Sequence, residues 1–456
     1  LVLVSIMKKL INRHLGLVLC LIFFANPRLI AQSASESWSL EDCLGFGLSN
    51  HPSIRQTEGS ELSAEARIGS TKSGLGVKLT AQSSFSRQKQ DFSRARSNSK
   101  TGGSVDDMTD SNSESLSLRK VISDFGQTRQ SIKASKSDLS AAKSNMVWQK
   151  IQVAAEIKNA FFRALKARAL VEVQQDSLDL YKKHLEKVRG FVEVGNKPPY
   201  DITKAEVDVA NAQVSFISAE SDFKNAVFLL GNAVGYEGKI IPDDKWDTLK
   251  FPFENIEIDR EKLLSEAVNR PDVQSYKFQI ESTRYKMNQV KKSNDPTLSG
   301  GASYNWSGTV TPLDRDWNMS LSLSKPILDG QLSKYQIRDA EASIRISQAK
   351  FDQLKISVHT EVETAINDFQ DAAKRTEAAE ILVRQASEAL FLAEGRYDAG
   401  VGSPIEVTDA QAGYSNARGS LVSAYFDRLI AITNLDSVVG KLPPEAITSQ
   451  KGANVR

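Results

Sequence analysis

Cysteine is almost missing from this chain. Cys20 and Cys43 are the only two, and Cys20 falls in an apolar leader, so no internal disulfide can brace the rest. Aromatic residues make up 7% of the chain, too few for a large globular core but suited to packing of Ala-, Ser- and Leu-rich helices. An excess of one charge sign is missing too. The net charge of +2 provides no strong basic field for nucleic acid. The four histidines, His14, His51, His184 and His359, are scattered without a nearby cysteine, so neither a metal site nor a cofactor is expected. Beyond the leader no run of 18 apolar residues occurs, which excludes a membrane-spanning helix. Asp124-Phe125-Gly126 spells a kinase tripeptide, yet no Gly-rich loop or His-Arg-Asp loop accompanies it. With no P-loop and no Ser-His-Asp arrangement, the chain reads as a non-enzyme.

Helix breakers are also absent over long stretches. Between Gly330 and Gly400 there is no proline, and the one glycine is Gly395. Apolar or small residues recur there every seventh position: Ile337, Ile344, Phe351, Val358, Ala365, Ala372, Ala379, Ala386 and Ala393. A strict seven-residue period is a left-handed coiled-coil seam. A helix from about Leu332 to Tyr397 would be roughly 100 Å long, far beyond a usual globular helix. A turn follows at Gly400-Val401-Gly402-Ser403. Ser403 then caps a second helix, Pro404 suits its first position, and Glu406 completes a capping box.

The same hairpin occurs twice. About 205 positions earlier the seam reads Ile132, Leu139, Met146, Val153, Ala160, Ala167, Gln174, Tyr181 and Val188, and then reaches the turn at Gly195-Asn196. Leu116, Leu118, Lys120, Ile122 and Asp124 match Leu321, Leu323, Lys325, Ile327 and Asp329, while Val234-Gly235 matches Val439-Gly440. A long ungapped match at one offset indicates a duplicated unit and an elongated body.

Each repeat also holds a pair of short alternating segments. Val77, Leu79, Ala81 and Phe85 alternate with Lys78, Thr80, Gln82 and Ser84. Trp317, Met319, Leu321 and Leu323 alternate with Asn318, Ser320, Ser322 and Ser324. Strands are expected near 76–86, 113–122, 297–306 and 317–325, with one apolar and one small polar face. Such strands fit either the edge of a sandwich or a transmembrane β-barrel. Four strands cannot close a barrel, so in the second reading several chains share it.

The chain therefore divides into a signal peptide over 1–33, whose first six residues precede the expected initiator Met7, a first repeat over 34–235, a connector over 236–258, a second repeat over 259–440 and a tail over 441–456. The extra residues of the first repeat fall in a polar stretch from Gln88 to Ser113, expected to be a surface loop. Short helices are expected from Trp38 to Asn50 and Arg260 to Asn269, each followed by a longer one starting at Pro52 and Pro271.

The alternation of strand pair, Asp-Phe-Gly or Asp-Gly junction, long helix, Gly turn and returning helix resembles the TolC-type outer-membrane efflux proteins. The resemblance runs from about Trp38 to Gly440. It is carried by Leu40-Glu41-Asp42-Cys43, by Pro326-Ile327-Leu328-Asp329-Gly330, and by Arg396-Tyr397-Asp398-Ala399-Gly400 through Asp409-Ala410-Gln411. It implies a mainly α fold with membrane β: antiparallel coiled-coil hairpins forming an α-barrel, and four strands per chain contributed to a 12-stranded β-barrel in a homotrimer. It also implies a passive outer-membrane exit duct with a periplasmic helical extension. Its partners would be outer-membrane lipid, a periplasmic membrane-fusion adaptor and an inner-membrane pump, as in efflux or type I secretion.

The resemblance assigns the periplasmic gate to Tyr397, Glu406 and Asp409. Glu406 and Asp409 lie three apart on one helix face, so threefold assembly makes rings of like charge. Lys204 occupies the position equivalent to Asp409 and would partly neutralise the ring. Some members tie the gate with Arg at the position of Gly402, a link this chain lacks. Gly195, Asn196, Gly400, Val401, Gly402 and Ser403 would meet the adaptor, and Asp124, Gly126, Asp329 and Gly330 would form the strand-to-helix junctions. The alternative reading is a trimeric coiled-coil surface adhesin or structural spacer. An adaptor is a third reading, but it would need one hairpin flanked by other modules.

Overall fold

The computed structural model describes residues 36–90, 107–243, 258–309 and 313–441. The expected signal peptide and all of the expected tail but Lys441 lie outside the described residues, as do 91–106 of the polar stretch and 244–257 of the connector. The first repeat runs β1 (Glu36–Trp38), α1 (Leu40–Asn50), α2 (Pro52–Lys72), β2 (Val77–Gln90), β3 (Asp107–Ser123), α3 (Gln127–Glu193) and α4 (Tyr200–Val234). After β4 (Ile240–Pro242) come α5 (Arg260–Ala267), α6 (Pro271–Lys291), β5 (Thr297–Gly308), β6 (Asp314–Ser324), α7 (Leu332–Asp398) and α8 (Pro404–Val439).

The two long helices begin and end by the same devices. Each has 67 residues, about 100 Å, and their bounds lie 205 positions apart. At the start of α3, Asp124 accepts the backbone N–H of Gly126 at 3.1 Å and of Thr128 at 2.7 Å. At the start of α7, Asp329 accepts those of Gln331 at 3.0 Å and Ser333 at 2.9 Å. Each carboxylate thus satisfies N–H groups that the first helical turn leaves unpaired. At the other end, the N–H of Gly195 donates to Val192 and that of Asn196 to Phe191; Gly400 and Val401 donate likewise to Tyr397 and Arg396. This is the Schellman pattern, and it requires the left-handed backbone seen at Gly195 (φ +76°) and Gly400 (φ +77°). The seam residues face inward as their spacing predicts. Val153, Val188, Val358, Ala365, Ala372 and Ala379 are buried, and the others are half-buried.

Helix order explains what is covered. Along the tip half α3 lies between α4 and α8, and along the sheet half it packs on α2 and α6. α7 packs on α8 and α6, with α5 against its middle, and meets α3 at the tip through Tyr397 and Asp398. α3 therefore buries two sides, including Ile157, Phe161, Leu165 and Val173, in a cluster with Leu44, Ile54, Leu230 and Phe426. A smaller cluster joins Val273, Val362, Ile366, Phe369 and Leu435. β1 and β4 pair in parallel beside these cores, with Trp38 packed on Phe46 and Tyr236, each at 5.3 Å.

One residue at this waist carried no signal in the sequence. Arg270, immediately before α6, is buried. Its guanidinium grips both carboxylate oxygens of Asp272 at 3.1 and 2.8 Å, and donates to Glu361 at 2.6 Å and to the Val438 carbonyl at 3.2 Å. It also lies 4.3 Å from the Trp148 ring. One side chain thus ties α6 to α3, α7 and α8.

The four long strands form one antiparallel sheet ordered β2-β3-β5-β6. Two of them run further than the apolar alternation suggests. β2 continues to Gln90 and β3 begins at Asp107, so part of the expected Gln88–Ser113 loop is strand. Polar cross-strand contacts hold this extension, namely Arg87 to Asp110 at 2.6 and 2.8 Å and Ser86 to Ser111 at 2.8 Å.

Candidate functional site

At the hairpin tips, Tyr397, which the resemblance assigns to the gate, is buried. It is 2% exposed, so its ring does not line an open surface. It packs against His184 and Phe191 at 5.3 and 5.6 Å, in a cluster with Val188, Ala205 and Val407. The reason is that α7 turns Tyr397 toward α3, where an aromatic ring fills the gap between the two repeats. The Lys197 ammonium sits 5.0 Å from the ring. Beside it lies a cavity of about 190 Å³ lined in part by His184, Tyr397 and Gln411. Burial pushes the His184 imidazole below its usual range; Asp208 and Asp398 pull the other way, and Lys187 adds to the lowering.

Glu406 and Asp409 are both exposed on the first turns of α8. The Ser403 hydroxyl caps the helix by accepting the Glu406 N–H at 3.3 Å. The second half of the expected capping box is not formed, because the Glu406 carboxylate instead accepts from Arg396 at 3.2 Å. A charged guanidinium is a stronger partner than a backbone N–H. Lys204 is likewise engaged, donating to Asp208 one turn along α4 at 2.9 Å. That i,i+4 pair could have been read from the spacing alone. Asp409 lies near Tyr181: burial first, then the charges of Asp208 and Asp409, push the Tyr181 hydroxyl up. Of the six expected adaptor contacts, Gly195, Asn196, Gly400 and Val401 are exposed. Gly402 is buried and Ser403 half-buried. A Cβ on Gly402 would fall 2.8 Å from the Tyr397 nitrogen and 3.0 Å from the Arg396 carbonyl carbon, so any side chain there, arginine included, would displace the turn.

At the other end of the long helices stand the expected junction residues. Phe125 and Gly126 in one repeat, and Gly330 and Gln331 in the other, are paired left-handed residues that turn strand into helix. Burial pushes Asp124 upward, but the hydrogen bonds from Thr128 and Gly126 outweigh it and hold its carboxyl below the usual range. Bonds from Ser333 first, then Gln331, lower Asp329 in the same way. Lys292, at the end of α6, donates to the Phe125 carbonyl at 2.9 Å and pins the first junction.

The sheet has two chemically distinct faces, which the register makes explicit. One row crosses Leu79, Leu118, Ala302 and Met319, and the next crosses Ala81, Leu116, Tyr304 and Trp317. Met319 is 76% and Leu323 67% exposed, part of a large apolar surface that no described residue covers. Tyr304 and Trp306 lie together near one border, 4.5 Å apart. The opposite face crosses Thr80, Ser117, Ser303 and Asn318, then Gln82, Ser115, Asn305 and Asp316. An apolar band with aromatic residues at its border, backed by a small polar face, is the pattern of strands between lipid and water.

Comparison with known proteins agrees with this geometry. The family model for outer membrane efflux proteins matches residues 47–236 and 263–441. Nodulation protein T of Rhizobium leguminosarum bv. trifolii is 20% identical over 331 residues, 70% of each chain. The probable efflux pump outer membrane protein TtgC of Pseudomonas putida is 22% identical over 300 residues, 64% of this chain and 60% of that one. The crystal structure of CusC superposes with a TM-score of 0.76 at 16% identity, covering 90% of this chain and 96% of the other.

Proposed function

Because this chain belongs to the outer membrane efflux protein family, we propose that it works as a passive three-chain tunnel, narrowed at the hairpin tips and joined there to an adaptor and pump. Membership makes it an outer-membrane exit channel of a tripartite efflux system, with a TolC-like fold and a periplasmic helical part. It leaves the adhesin or spacer reading without support.

The observation that carries the three-chain reading is a matched pair of open edges. Among the described residues β2 and β6 end the sheet with unpaired backbone groups, and joining β6 of one copy to β2 of the next removes both edges. Three copies of four strands then close a 12-stranded barrel. The helices have open edges to match. On α7, Ile356, Ile381 and Leu392 are exposed, about seven and three whole turns apart, and so form one stripe. On α4, Val207, Val214, Ile217 and Phe228 form another. A head-to-tail contact between these two stripes closes a ring. The duct performs no chemistry of its own, so the pump supplies the energy.

At the tips, Asp409 carries the gate charge. Arg396 pairs with Glu406 and Asp208 with Lys204, whereas Asp409 has no ion-pair partner among the described residues. Gly195, Asn196, Gly400 and Val401 form the surface offered to the adaptor; Gly402 and Ser403 shape the turn behind it. Single-channel recording in planar bilayers tests the gate. Asp409→Ala should raise conductance or change ion selectivity more than Glu406→Ala does, and currents unchanged by either substitution would remove the gate assignment.

A further inference from the structure

The polar face of the sheet is nearly uncharged except at its two ends, and the ends have opposite sign. Two residues in from the helical end, Lys78 on β2 lies directly opposite Arg119 on β3. Arg119 is followed across the sheet by Gly301 and Ser320. This row is on the polar face: a Cβ on Gly301 would meet the Ser320 hydroxyl at 3.3 Å, whereas a Cβ on the next residue, Gly300, would meet Ile122 on the apolar face. Further along the polar face come Thr80, Ser117, Ser303 and Asn318, and then Asp316 and Asp314 near the far end. Asp316 is already engaged, accepting from Asn305 at 2.8 Å.

Like charges opposite each other across two strands repel, with Cβ atoms only about 5 Å apart. Neither Lys78 nor Arg119 has an ion-pair partner among the described residues. Gly301 places no side chain beside them, so the guanidinium and the ammonium stand open to whatever occupies the lumen. No packing reason for this pair is visible, since both side chains are exposed. Uncompensated cations on a wall of serine and threonine are the arrangement that lumen selectivity uses.

We propose that Lys78 and Arg119 form the selectivity filter of the barrel, a basic ring at its helical end that favours solutes bearing carboxylate, sulfate or phosphate. The proposal rests on the three-chain exit-duct reading, which turns one pair into six positive charges at a single level. The ring stands in series with the acidic tips. A solute meets Asp409 at the entrance and Lys78 with Arg119 where the helical tunnel becomes barrel. The tips thus discriminate against anions and the barrel against small cations. The acidic pair Asp314 and Asp316, about 14 Å beyond along the strands, disfavours re-entry of anions from outside.

The test is the reversal potential of the purified assembly in planar bilayers under a potassium chloride gradient. It is run near about 0.01 M salt, where charges act over about 30 Å, and again near about 1 M, where they act over about 3 Å. At low salt, Lys78→Gln with Arg119→Gln should lower the chloride-to-potassium permeability ratio at least about threefold relative to wild type. The difference should vanish at high salt. Exchanging the two charges, Lys78→Arg with Arg119→Lys, should keep the wild-type ratio. Arg119→Gln alone provides the same comparison, with a smaller shift, if the double variant does not insert. Equal ratios in wild type and neutral variants at low salt would overturn the filter while leaving the exit duct intact. A wild-type assembly that forms no pore would overturn the duct and the filter together.

Discussion

α3 and α7 occupy the same place in the two repeats, have the same length and share a seven-residue seam, yet they differ in what lies on their far side. α3 has α4 against one flank and α8 against the other, and no large apolar side chain on it is exposed. α7 has α8 on one flank, with α6 and α5 covering part of its length, while Ile356, Ile381, Phe391 and Leu392 stand in the open among the described residues. The seam is what duplication preserved, because each hairpin needs it to fold back on itself. The second flank diverged according to neighbour: a partner within the chain for α3, a partner copy for α7. Phe161 and Phe391 mark the extremes, at 0% and 75% exposure.

Breaking the tie between the two helices is among the largest expected effects. Arg270→Ala strips Asp272 and Glu361 of their partner and should cost about 3 kcal/mol or more, since a buried charge is left unpaired. Guanidinium unfolding followed by helical signal, at fixed protein concentration, would read this as a lowered midpoint. A midpoint equal to wild type would mean that Arg270 does not hold the waist.

Phe161→Ala and Phe391→Ala sharpen the same comparison. Phe161→Ala should lose about 3 to 5 kcal/mol of fold stability through the cavity it leaves. Phe391→Ala should change the unfolding of separated chains by less than about 0.5 kcal/mol, as a surface site does, yet weaken the association of copies. Unfolding midpoints and assembly mass, measured on both variants, separate the two roles. Equal effects on folding and assembly would erase the distinction between α3 and α7.

The smallest effect concerns the caps. Asp124→Asn should remove about 1 kcal/mol at neutral pH by weakening the start of α3. The wild-type carboxyl is held below its unfolded value. Its contribution is therefore complete above the unfolded value near pH 4 and is lost as pH falls through the lower folded value. Thermal midpoints of wild type and variant should converge in that acid range, and a gap that stays constant down to about pH 2 would contradict the cap.

Much of this is legible in the chain alone. The seam from Ile337 to Ala393 is a periodicity, and periodicities survive without knowledge of neighbours. Gly195 and Gly400 end helices by a local rule, and the alternation from Trp317 to Leu323 separates two faces by another. What escaped depends on contacts distant in sequence. Nothing near Arg270 announces that Glu361 and the Val438 carbonyl will converge on it. Tyr397 sits in a tip motif, and nothing near it in sequence announces that His184 and Phe191 will arrive from the other repeat. The outer parts of β2 and β3 read as loop because Ser, Arg and Asp carry no apolar alternation, and only the pairing of Arg87 with Asp110 shows them to be strand. The half-formed box at Ser403 failed for a related reason, since Arg396 across the turn competes for Glu406.

The claim on which everything else depends is that the open flank of α7 and the open edge of β6 are covered by a second copy of this chain, closing after three. Native mass measurement of the detergent-solubilised protein tests it directly. One species of three chains is expected, which Leu392→Glu with Ile381→Glu on the α7 stripe converts to single chains. A wild-type protein that runs as a single chain, with its apolar stripes held only by detergent, would contradict it.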